Sequence, residues 1–148
     1  MSVHYGGHMS DAAAIAREVE AFYLGYIEVF NREDVGAYLN SFSYPNAVLR
    51  GPQGMAVHAT AAEQQSYYQG LMAVIRAEGW HHTDAASLQV APLTETTAML
   101  LADITRCRKD STLIERGRMC YTVRKDGGAW RILTMADVKL PFDGRFVS

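Results

Sequence analysis

The chain has 148 residues, 49% of them hydrophobic, and a formal net charge of -2 at pH 7. That is enough for one globular core and too little for two domains of ordinary size. The 14 Lys and Arg residues form no run, which sets nucleic acid aside as a partner. No stretch is apolar for long enough to cross a bilayer, and the first residues lack the order of a signal peptide, so a cytoplasmic address is the default expectation.

Residues 1–10, with Gly6, Gly7 and His8 ahead of a second Met, read as a flexible N-terminal segment or a cloning remnant, and 11–148 as a single domain. From Asp11 to Phe30, Ile15, Val19, Phe22, Tyr23, Tyr26, Ile27 and Phe30 recur at three- and four-residue spacing, which predicts one amphipathic helix with an aromatic buried face. Asn31 and the acids after it mark a stop and a restart, and a short second helix carries Val35, Tyr38, Leu39 and Phe42. Pro45, Gly51-Pro52 and Gly54 punctuate a small hairpin of Ala47 to Arg50 and Met55 to His58. Thr60 and Glu63 stand at capping-box spacing ahead of a third helix that runs to about Ala77. Beyond Gly79 the period changes to alternation, which predicts strands near 81–91, 96–108, 112–125 and 129–140. The fold class is therefore α+β: three helices on a curved, mainly antiparallel sheet, ending in a four-strand meander.

Asp126-Gly127 is a type I′ turn signal, and setting Lys125 opposite Gly128 pairs Val123 with Trp130, Tyr121 with Ile132 and Arg116 with Asp137. In the preceding hairpin, Lys109 opposite Thr112 brings Arg106 to Glu115 and Asp103 to Arg118. One face of the sheet then carries Tyr121, Val123, Trp130 and Ile132 and belongs beneath the helices. The other mixes Leu101, Leu133 and Met135 with Asp103, Arg116 and Arg118, a composition that suits a homodimer packed sheet to sheet.

The order of elements, together with Phe42-Ser43-Tyr44-Pro45-Asn46 and the run from Arg124 to Ile132, resembles the nuclear transport factor 2-like superfamily and in particular its SnoaL-like branch. The resemblance covers nearly the whole chain. It implies a cystatin-like cone, a curved sheet wrapped around three helices with a pocket between them, commonly in a dimer. Similar proteins include isomerases, dehydratases, cyclases and non-catalytic members. Where the isomerases carry a catalytic acid before a Pro and a Gly, this chain has Arg50 or Gly51, and arginine cannot serve as a base.

For the pocket, Tyr23, Tyr26, Tyr44, Asn46, His58, Arg106, Tyr121 and Trp130 are the candidate ligand-binding residues, Tyr26 the first choice among the phenols as a hydroxyl donor. If Leu88 and Val90 point inward, His82 and Asp84 share that face with Arg106 and Glu115, so His82 with Asp84 or Glu115 is the candidate catalytic acid-base pair. His81 and His82 are neighbours on a strand, face opposite ways and cannot close on one ion, so no metal is expected. Cys107 and Cys120 match neither a zinc knuckle nor a CxxC pair, and read as buried free thiols. No phosphate loop, dinucleotide fingerprint or serine elbow occurs, and no cofactor is expected. The leading expectation is a protein that binds a small hydrophobic or aromatic ligand. The alternatives are a cofactor-free lyase, isomerase or cyclase, and an assembly domain with a filled core.

Overall fold

The computed structural model describes residues 9–141. The elements are α1 (Met9–Asn31), α2 (Val35–Asn40), β1 (Phe42–Leu49), a single 3-10 turn (Gly51–Gln53), β2 (Met55–His58), α3 (Ala61–Ala77), β3 (His82–Pro92), β4 (Thr97–Cys107), β5 (Leu113–Asp126) and β6 (Ala129–Asp137). Of the expected N-terminal segment, residues 1–8 lie outside the described residues, while Met9 and Ser10 already belong to α1. Local chemistry sets the helix starts. Asp34 caps α2 by accepting from the Ala37 amide at 3.1 Å, and Thr60 caps α3 from Glu63, whose carboxylate in turn accepts from the Ala59 amide.

The six strands form one sheet in the order β2-β1-β6-β5-β4-β3. All pairs are antiparallel except β1 with β6, so the hairpin extends the meander through a parallel join. The β4–β5 register matches expectation, with Arg106 opposite Glu115 and Asp103 opposite Arg118.

The β5–β6 register differs. Gly127 and Gly128 occupy the two turn positions, both with positive φ, and Asp126 pairs with Ala129. Only glycine adopts that backbone at both positions without strain, so the turn lies one residue later than expected. Val123 therefore faces Ile132 and Lys125 faces Trp130, a shift of two that leaves the faces unchanged. A bulge between Thr122 and Val123 then changes them: Tyr121 meets Met135, and Met119 rather than Arg116 meets Asp137. Met135, expected on the outer face, is consequently buried in the core, and the Arg116-Asp137 pair does not form across the strands.

Tyr121 and Ile132 both lie in the buried cluster, together with Tyr23, Tyr26, Phe30 and Tyr38 from the helices. Most of these aromatic rings meet edge-on or tilted, as at Tyr38–Phe42 and Phe30–Trp80, with centroids 5.0 and 5.4 Å apart, while Tyr26 and Tyr38 stack. Such contacts add to the burial of the apolar face that holds helices to sheet.

A second bulge, at Ala86 between Ala85 and Ser87, interrupts β3. Leu88 and Val90 point inward as expected, but the extra residue reverses the alternation before it, so Thr83 and Ala85 are inward while His82 and Asp84 face out. Asn31 enforces this arrangement at the C-terminus of α1. Its amide donates to the Thr83 carbonyl and accepts from the Thr83 N–H, both at 2.8 Å, and the Trp80 indole donates to the Thr83 hydroxyl at 2.9 Å.

Candidate functional site: a cavity between the helices and the sheet

Between α1, α3 and the inner face of the sheet lies a cavity of about 570 Å³. That volume falls within the usual range of small-molecule sites, about 300–1,000 Å³. Helix α1 contributes Tyr23, Tyr26, Ile27 and Phe30; α3 contributes Tyr67, Leu71 and Val74; the sheet contributes Val48, Ile104, Met119, Tyr121 and Met135. The walls are mostly apolar because helical and strand periods both turn their buried stripes toward this space.

Deep in the cavity wall the hydroxyls of Tyr23 and Tyr121 approach to 3.1 Å. Burial pushes both phenols well above their ordinary range, and Tyr26 likewise. All three stay neutral at physiological pH and retain hydroxyl groups able to donate or accept hydrogen bonds.

Toward the mouth the lining becomes charged. Arg106 forms an ion pair with Glu115, and the Arg50 guanidinium lies 4.7 Å from the centre of the Tyr67 ring. Arg116, Arg118 and Lys139 also border the opening, against Asp137 and Glu115 as the only carboxylates among the described lining residues. Arg118 is already engaged, bidentate to Asp103 on the outer face. The balance of charge at the opening is cationic.

The other expected site residues fall elsewhere. Tyr44 donates to the Leu39 carbonyl at 2.7 Å, and Trp130 is buried beneath α1, both outside the cavity lining. Asn46 and His58 are buried together off the lining. Asn46 uses its amide NH₂ on the Ser43 carbonyl, so its oxygen faces His58 Nδ1 at 3.0 Å. That oxygen can only accept, and Nδ1 therefore carries the proton. Burial, then the nearby Arg50 charge, lowers the His58 pKa, with the Gln64 side chain and Glu63 opposing.

His82 and Asp84 do approach each other, at 3.5 Å, but on the outer face and away from Arg106 and Glu115. No histidine lines the cavity among the described residues. The physical reason is the Ala86 bulge, which the residue pattern does not announce. What sequence reasoning missed at the site is Arg50 stacked on Tyr67, together with the α3 wall. Nothing in the spacing of residues 50 and 67 signals that the hairpin turn folds over that helix.

A family model described as NTF2-like protein (DUF6841) matches residues 17–139. The chain belongs to this NTF2-like family. Solved structures agree on the fold. A protein of unknown function from Nostoc punctiforme with a cystatin-like fold superposes with a TM-score of 0.66 at 14% identity, covering 81% of this chain and 86% of that one. An NTF2-like protein of unknown function from Pseudomonas putida gives 0.68 at 14% identity, over 89% of this chain and 90% of that one. A provisionally assigned scytalone dehydratase from Novosphingobium aromaticivorans gives 0.68 at 12% identity, over 95% and 94%. A comparison with curated proteins gives no match. At these identities the NTF2-like relatives establish architecture, and the reading of function rests on the cavity.

Proposed function

We propose that the cavity binds a small, largely apolar molecule, of aromatic or polycyclic type, whose carbonyl or carboxylate end faces Arg50 and Arg106. The carrying observation is the polarity gradient within one space of about 570 Å³: apolar walls, a neutral tyrosine hydroxyl pair inside, and arginines at the opening. An apolar body gains free energy by leaving water, at roughly 25 cal/mol per Å². A polar end loses less where a guanidinium or phenol replaces its hydration.

The catalytic alternative has less support from the geometry. Proton transfer within the cavity requires a base there, and the available carboxylates are Glu115, held by Arg106, and Asp137. His82 and Asp84 open onto the other side of the sheet.

The outer face supports a second copy of the chain as partner. Leu49, Met55, Val57 and Met99 are exposed there, and Leu101 and Cys120 lie half-buried beside the Asp103–Arg118 pair. A twofold axis through that face would cover these side chains with their own counterparts.

A thermal-shift panel of small aromatic carboxylates, their neutral amides, ketones and unfunctionalised hydrocarbons tests the binding reading. Carboxylates and ketones should stabilise the protein more than the matching hydrocarbons, because ligands selective for the folded state raise stability by mass action. Failure of every class to shift the transition would remove ligand binding as the function.

A further inference from the structure

At the edge of the sheet, on the face opposite the cavity, the start of β3 meets the end of β4. His82 is the cross-strand partner of Cys107, and Asp84, two residues along, projects from the same outer face. One ligand-capable atom each of His82, Asp84 and Cys107 lies within 4.8 Å of the others. The His82 Nε2 to Asp84 Oδ2 distance is 3.5 Å. Ligand atoms around a tetrahedral zinc are separated by about 3.3–3.8 Å, given bond lengths of about 2.0–2.3 Å. One pair already has that separation, and small side-chain rotations would bring in the third.

The ring beside the cluster supplies the second observation. His81 precedes β3 and is free of strand alternation, so its Nδ1 reaches His82 Nδ1 at 3.0 Å. In the tautomer where His82 Nδ1 donates to His81 Nδ1, the free lone pair of His82 is on Nε2, the nitrogen that faces Asp84. The sequence expectation that both histidines lie on a strand and face opposite ways is not met, because β3 begins at His82, and His81 is placed to orient the His82 ring.

We propose that His82, Asp84 and Cys107 form a binding site for a thiophilic divalent cation of the zinc class, with His81 as the positioning residue and a fourth ligand from solvent. A thiolate, an imidazole and a carboxylate together favour zinc or cobalt over magnesium or calcium, which prefer all-oxygen shells. Binding replaces the S–H bond of Cys107 by a metal–sulfur bond and releases that proton to the buffer, with no change of oxidation state. Cys107 is buried, at 6% exposure, while His82 and Asp84 are more open, so the ion would approach from the solvent side and tie the start of β3 to the end of β4.

Cobalt(II) is the probe: the chelator-treated protein is titrated with it under reducing conditions and followed by absorption. The expected result is one equivalent bound with a thiolate-to-cobalt charge-transfer band, displaced by zinc. The band should vanish in Cys107→Ala and survive in Cys120→Ala. His82→Gln and Asp84→Asn should each weaken binding at least tenfold, and His81→Phe by about tenfold. Should Cys107→Ala fail to fold, the His82 and Asp84 variants decide, since both side chains are partly or mainly solvent-facing. Absence of the band, its persistence without Cys107, or unchanged affinity in both His82→Gln and Asp84→Asn would overturn the proposal.

Discussion

Removing one hydroxyl from the Tyr23–Tyr121 pair perturbs the cavity at its least hydrated point. The two oxygens lie 3.1 Å apart, and the residues are only 0% and 4% exposed. Tyr23→Phe deletes a buried hydrogen bond with a net value of about 1 kcal/mol and strands the Tyr121 hydroxyl, at a further desolvation cost of about 1 kcal/mol or more. Tyr121→Phe does the same in reverse. Each single variant should therefore lose about 2 kcal/mol. The double variant removes both polar groups and should cost clearly less than the sum, leaving a coupling of about 1 kcal/mol. In a chain of this length each kcal/mol lowers the midpoint by roughly 2–4 °C. Urea unfolding followed by circular dichroism measures all four corners of the cycle. Strictly additive effects, or singles indistinguishable from the parent, would refute the view that these hydroxyls satisfy one another.

Three further outcomes follow from the same structure. The folded-state pKa of His58 is depressed from the ordinary value of 6.5 chiefly by burial, so the unfolded chain binds the proton more readily; the stability this contributes is present above pH 6.5 and lost as pH falls through the folded value, and an NMR titration should place the His58 midpoint below 6.5. For Tyr23, Tyr26, Tyr38 and Tyr121 the shift is upward from 10.0, so their contribution is complete below pH 10 and declines above it, with tyrosinate absorbance appearing only as the fold is lost. Val57→Lys on the exposed outer face should shift a dimer toward monomer in sedimentation velocity at micromolar concentration without loss of helical signal; an unchanged sedimentation coefficient would place any self-association elsewhere.

Much of the architecture was legible because two periods carry it. Val19, Tyr23, Tyr26 and Phe30 repeat at helical spacing, and Ala98, Leu100 and Ala102 alternate as a half-buried strand must. The cross-strand charges at Arg106–Glu115 and Asp103–Arg118 fixed the β4–β5 register from sequence. The two bulges were not legible. One inserted residue at Ala86 reverses every side chain between His82 and Ala85, and another near Leu133 delivers Met135 to the core. Neither site carries a glycine or proline to mark it, and the selection comes from long-range contacts such as Asn31 with Thr83. For the same reason the cavity tyrosines of α1 and β5 were found, whereas the His82–Asp84 pair was assigned to the wrong side of the sheet. Arg50 over Tyr67 and Cys107 beside His82 depend on folded proximity alone.

The proposed ligand cavity joins an apolar body to an arginine-lined mouth. Calorimetric titration of the best aromatic carboxylate from the panel into three proteins addresses it: the parent, Ile104→Trp to fill the cavity, and Arg106→Gln combined with Glu115→Gln to remove the mouth pair without leaving a lone charge. Binding in the parent, abolition by Ile104→Trp and at least tenfold weakening in the double variant is the predicted pattern. Equal affinity in all three folded proteins would contradict it.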